Sequence, residues 1–172
     1  MRYKGGGRAA FVAGPFQKWQ NPFVDARRLR VVVPWDALLE AFEFVSFGPP
    51  EEHQAYVCLK SGKIYWHSEV GDDEEELPED IDDAEKYVAI PHKNDLDLGK
   101  NLVIEFVEEF LPDAVREVER IFSRRGAYSN FKNLLERRGL LPQWYEYEAT
   151  AQEKSLREWC ADQGIEIGVS GT

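Results

Sequence analysis

The chain has 172 residues, 43% of them hydrophobic, and a formal charge of -11. That is enough apolar material for one domain with a core, since domains usually run to about 100–150 residues, and the net negative field opposes indiscriminate binding to nucleic acid or anionic membrane. No apolar run nears the roughly 18 residues that span a bilayer, and no signal pattern opens the chain, so no membrane association and a cytoplasmic location are expected.

Residues 1–30 carry Gly5-Gly6-Gly7, Pro15, Pro22, seven Lys or Arg and a single acid, Asp25. With no sustained apolar period, they read as a basic, loosely ordered N-terminal arm. Disordered tails are poor in aromatics, so Phe11, Phe16, Trp19 and Phe23 predict that part of the arm packs on the domain or on a neighbouring subunit. A single α+β domain is expected over 31–166, with 167–172 as a C-terminal tail.

A β-branched run from Leu29 to Val33 leads to Pro34, placed for the first turn of a helix because its missing N–H would be unpaired there anyway. Leu38, Ala41, Phe42 and Val45 form the apolar face of that helix, which Gly48-Pro49-Pro50 stops. Alternation over Tyr56–Leu59 and Ile64–His67, joined by Lys60-Ser61-Gly62-Lys63, predicts a β-hairpin. Tyr87–Ile90 reads as a third strand, closed by Pro91. Four helical faces follow: Leu102 to Leu111, Val115 to Phe122 ending at Gly126, Tyr128 to Leu135 ending at Gly139, and Tyr145, Ala149, Gln152, Leu156, Trp159 and Cys160 ending at Gly164. Strands grouped ahead of helices predict a small three-stranded antiparallel meander with an N-terminal helix and a C-terminal set of about four helices. Cys58 and Cys160 have neither metal-knuckle spacing nor the number of a disulfide framework and read as buried thiols.

Three constellations carry charge in patterns that could support binding or chemistry. Between Glu69 and Glu85 stand eleven carboxylates and no Lys or Arg. Asp72, Asp73, Glu74 and Glu75 lie at its centre, but the spacing of an EF-hand loop is absent, so no metal is assigned and a solvated or partner-binding surface is expected. His67 stands at the entrance to this run, where an imidazole beside carboxylates could serve a metal-dependent hydrolase. His53, His67 and His92 show no zinc-ligand spacing. Third, Arg116, Arg120, Arg124, Arg125, Lys132, Arg137 and Arg138 cluster with Tyr128 and Phe131. They could neutralise the acidic loop, cap their own helices, or hold an anion or RNA. No Gly-x-Ser-x-Gly elbow or phosphate loop is present.

These patterns resemble a bacterial family, uncharacterised protein family (UPF) number one hundred and fifty-eight, from about Val31 to Ile165. The matching pieces are Asp36–Phe44, Ser61-Gly62-Lys63-Ile64 and Tyr87–Pro91, and most specifically Arg124-Arg125-Gly126-Ala127-Tyr128 with Phe131-Lys132-Asn133, Trp144-Tyr145 and Glu158-Trp159-Cys160. The acidic loop and the basic arm depart from the family pattern. The resemblance implies fold and bacterial origin but no activity, and it points to Arg124, Arg125, Tyr128 and Lys132 as the edge of a binding groove. The expected function is a non-enzymatic binding or regulatory domain, without cofactor, that meets a protein partner through the acidic loop. The alternatives are a metal-dependent hydrolase at His67 and an RNA or phosphate-ligand site at Arg124 and Arg125.

Overall fold

Alternating side chains make the first sheet. In β2 (His53–Cys58) every second residue, from His53 to Val57, is buried, and β2 pairs antiparallel with β3 (Ile64–Ser68) as the hairpin pattern predicts. The computed structural model describes residues 30–71 and 75–169; the arm at 1–29, Asp72, Asp73 and Glu74 of the acidic run, and residues 170–172 lie outside it. Gly62 takes φ 76 in the hairpin turn. A Cβ there would fall 2.5 Å from the carbonyl oxygen of Val32, so the preceding strand can pass over the turn only where no side chain stands.

The sheet is not the expected meander. Its order is β3-β2-β4, with β4 (Tyr87–Ala89) on the far edge of β2 rather than beside β3. A meander needs a short turn between neighbours, whereas residues 69–86 give the chain length to return across the sheet. There the Leu59 N–H donates to the Lys86 carbonyl at 2.7 Å and the Ile90 N–H to Ala55 at 2.8 Å.

A second sheet was not anticipated. β1 (Val31–Pro34) pairs in parallel with β5 (Ile165–Gly168), joining segments at opposite ends of the described fold. β5 thus continues two residues past the expected domain edge at 166. Five α-helices complete the described residues: α1 (Trp35–Ser46), α2 (Lys100–Phe110), α3 (Val115–Phe122), α4 (Ala127–Arg138) and α5 (Leu141–Gln163). The apolar face predicted for α1 is the one it buries. Gly126 differs from expectation. It opens α4 as its N-cap, with φ 72, while α3 stops at Phe122. Short 3-10 turns at Lys93–Leu96 and Pro112–Ala114 precede α2 and α3.

The aromatic core lies between α2, α4 and α5. Trp144 is 1% exposed, with Phe131 and Phe106 edge-on to it at 5.1 and 5.2 Å between ring centroids. Burial of Trp144 corrects the face assigned to the start of α5, because its neighbour Tyr145 is 47% exposed. From Leu156 onward the two agree, since Leu156, Trp159 and Cys160 are buried.

Candidate functional site

A cleft opens where the end of α1, the 3-10 turn at Lys93–Leu96 and α5 meet. His92 fixes that turn. Its Nδ1 accepts from the Asn94 N–H at 3.1 Å, which leaves Nε2 to donate to the Gly48 carbonyl at 3.2 Å, while its own N–H donates to Asp95 at 3.2 Å. The next residue, Lys93, donates its N–H to the Ser46 hydroxyl at 3.0 Å. A buried histidine and a serine thus clamp Lys93 to the end of α1, beside Phe47, which is 75% exposed. Across from them α5 supplies Glu148 and Gln152, four residues apart and therefore on one helical face. The cleft encloses about 260 Å³.

Lys93 and Glu148 are both half-buried. Burial pushes the Lys93 ammonium below its ordinary range, helped by Lys132 and opposed by Glu148. Burial likewise pushes the Glu148 carboxyl up, against the pull of Lys132 and Lys93. Each senses the other, yet no ion pair within 4.0 Å joins either to a partner among the described residues. The Lys93 Nζ instead lies 4.3 Å from the centroid of Tyr128, a cation–π contact at the start of α4. Burial, then Glu148, raises the Tyr128 phenol. Lys132, one turn further on, lies 5.3 Å over the Tyr145 ring. Opposite charges withdrawn from water but left unpaired are costly, and such groups gather where a ligand supplies the missing partners.

The cleft is thus lined by Lys93, Glu148 and Gln152, which the sequence did not single out, while Tyr128 touches it only through its ring contact with Lys93 and Lys132 is not among its lining residues. Arg124 and Arg125 are exposed on the turn between α3 and α4 and do not line the cleft. Within the acidic run, Asp72, Asp73 and Glu74 lie outside the described residues. Glu75 pairs with Lys63 of the hairpin, and Lys86 lies 2.8 Å from Asp80 and 3.3 Å from Asp83. The ion pairs described for the run are thus with Lys63, His67 and Lys86, and none of them is with Arg124 or Arg125. Arg120 and Arg137 donate to carbonyls of their own helices, and Arg138 pairs with Asp113 at 3.2 Å.

His67 lies 3.5 Å from Glu69, and among the described residues no three His, Cys, Asp or Glu side chains gather as a metal site. His53 is buried between Ser68, at 3.0 Å from its Nδ1, and the Phe44 ring, 4.8 Å away. Cys160 is buried, and desolvation pushes its thiol up to about 12. Cys58 departs from expectation in being only partly buried. Burial raises its thiol, but hydrogen bonds from Ser61 and Lys60 bring it below the ordinary value.

A family model, that of uncharacterised protein family UPF0158, matches residues 28–170. The chain belongs to UPF0158. The UPF0158 match spans both sheets, all five helices and the cleft, and it begins near the end of the basic arm. Among curated proteins and solved structures, none matches this UPF0158 chain.

Proposed function

We propose that the chain is a ligand-binding regulatory domain, and that the cleft between Lys93 and Glu148 takes a small molecule bearing both an anionic group and a protonated amine. One observation carries this: two opposite charges, each half-buried, face one cleft without pairing to one another. The Lys93 ammonium would donate to the carboxylate or phosphate of such a ligand, the Glu148 carboxylate would accept from its amine, and Gln152 can do either. Phe47 offers ring surface to its carbon frame. At about 260 Å³ the site suits a compound of amino-acid size rather than a nucleotide. The carboxylates of the acidic run that face Lys63 and Lys86 are already engaged, which favours the cleft over the run as the recognition surface.

The test is a melting-temperature panel of α-amino acids, amino sugars, phosphoamines and inorganic phosphate on the full chain. A compound at 100 times its dissociation constant adds about 2.7 kcal/mol and raises the midpoint by several degrees. The expected result is a shift from a compound carrying both charges that disappears in Lys93→Met and in Glu148→Gln. No shift from any class, or one that survives both substitutions, overturns the proposal. A shift from phosphate alone that depends on Arg124 and Arg125 would move the site to the arginine turn.

A further inference from the structure

A second concavity follows another face of α5. Between the 3-10 turn, α2 and α5 runs a groove in two connected parts of about 400 and 430 Å³, which share Leu102, Glu105, Ala151 and Lys154. Around the first part stand Asp95, Asp97, Glu105, Glu158 and Asp162, with Lys154 as the one cation among its lining residues. None of these five carboxylates enters an ion pair among the described residues. Beneath them lie Leu96, Leu98, Leu102 and Trp159, and Phe110 and Tyr147 continue the apolar floor into the second part. Carboxylates around an apolar floor suit a segment that brings cations and rings together.

The chain carries such a segment. Residues 1–30 hold seven Lys or Arg against one acid, interleaved with Phe11, Phe16, Trp19 and Phe23. Its point of attachment is equally specific. Val31 pairs with Ile165, which directly follows Gly164, the cap of α5, so Arg30 joins the fold at the end of α5 that bears Glu158, Trp159 and Asp162. An extended chain covers about 3.3 Å per residue, so a dozen residues suffice to run beside a 23-residue helix that rises about 1.5 Å per residue. The acidic run is the competing partner, but its described carboxylates at Glu75 and Asp80 already engage Lys63 and Lys86.

We propose that the chain's own basic arm, residues 1–29, seats in the groove between α2 and α5, with its aromatic rings on the floor and its Lys and Arg against Glu105, Glu158 and Asp162. This placement is independent of the ligand proposed for the Lys93–Glu148 cleft.

Carbodiimide cross-linking of the full chain at low micromolar concentration tests it, because Lys4 and Lys18 can form amide bonds only with carboxylates they touch. Expected products join those lysines to Glu105, Glu158 or Asp162 within one molecule, with a yield independent of protein concentration. Glu158→Gln combined with Asp162→Gln, both on the helix surface, should remove most of them and speed amide exchange over residues 151–162. Replacing Phe16, Trp19 and Phe23 with Ser keeps every charge and should lower the yield about fivefold or more. Cross-links confined to residues 69–85, products only between two molecules, or a yield unchanged by the ring substitutions would each overturn the proposal.

Discussion

The acidic run and the Lys93–Glu148 cleft use charge in opposite ways. In the run, carboxylates are dense in sequence, and those at Glu75, Asp80 and Asp83 meet Lys63 of the hairpin and Lys86 at the run's end. In the cleft one acid and one base are half-buried, and neither finds an ion-pair partner among the described residues. Exposed pairs contribute little because water screens them and the side chains lose freedom. Withdrawn, unpaired groups cost stability and hold their interactions in reserve. Density of charge alone therefore does not mark a site, and the burial of particular charged residues is the more telling feature.

Three substitutions sharpen that contrast. The largest effect is expected at the frame that holds the α5 wall of the cleft. Trp144→Ala removes a ring packed against Phe106 and Phe131 and should cost about 3–5 kcal/mol in urea unfolding. A loss under about 1 kcal/mol would mean that α5 is positioned by other contacts.

Glu148→Gln comes next and acts in the other direction. The folded carboxyl has a raised pKa, so the native state binds its proton more readily than the unfolded chain, where Glu titrates near about 4.3. Stability contributed by this group falls as pH rises from the unfolded value through the folded one, and the penalty is full above that. The variant should therefore melt about 2 °C higher than the parent at pH 7, with the difference fading as pH drops below about 4. A variant that melts lower at pH 7 would make Glu148 a structural partner of Lys93 instead of a ligand group.

The smallest effect is expected in the run. Hydrogen bonds and charge from Asp80 and Asp83 raise the Lys86 pKa, and Lys86 lowers that of Asp80, but both groups stand in solvent. Lys86→Ala should shift the midpoint by about 1 °C at low salt and by less in 0.5 M salt. A large, salt-independent shift would show that the run is a fixed part of the fold.

Much of the fold was legible in the sequence because its signals are local. Apolar spacing found α1 and the four later helices, and alternation found the β2–β3 hairpin. The β1–β5 pair was not legible, since four-residue strands joined in parallel across the whole domain leave no local trace. Nor was the partner of β4, which the long acidic run frees to choose either edge. Tyr128 and Lys132 stood out in sequence as an aromatic and a cation close together, whereas Lys93 and Glu148, which line the cleft, did not stand out. One signal was present. Once Trp144 is taken as the first buried residue of α5, Glu148 and Gln152 fall on the same stripe as Trp159, and a carboxylate on such a stripe is unusual. Starting the face at Tyr145 hid it.

The parallel pairing of β1 with β5 also decides how the domain answers mechanical load. The chain enters at Val31 and leaves at Gly168, which lie at opposite ends of one two-stranded ladder. Tension applied through those ends slides the strands along each other and loads the ladder's hydrogen bonds together, whereas antiparallel hairpin strands such as β2 and β3, pulled from their open end, separate one bond at a time. These four residue pairs are a shear clamp across the ends of the fold, and the five helices and the β3-β2-β4 sheet lie between them in the chain, shielded from the pull until it gives way.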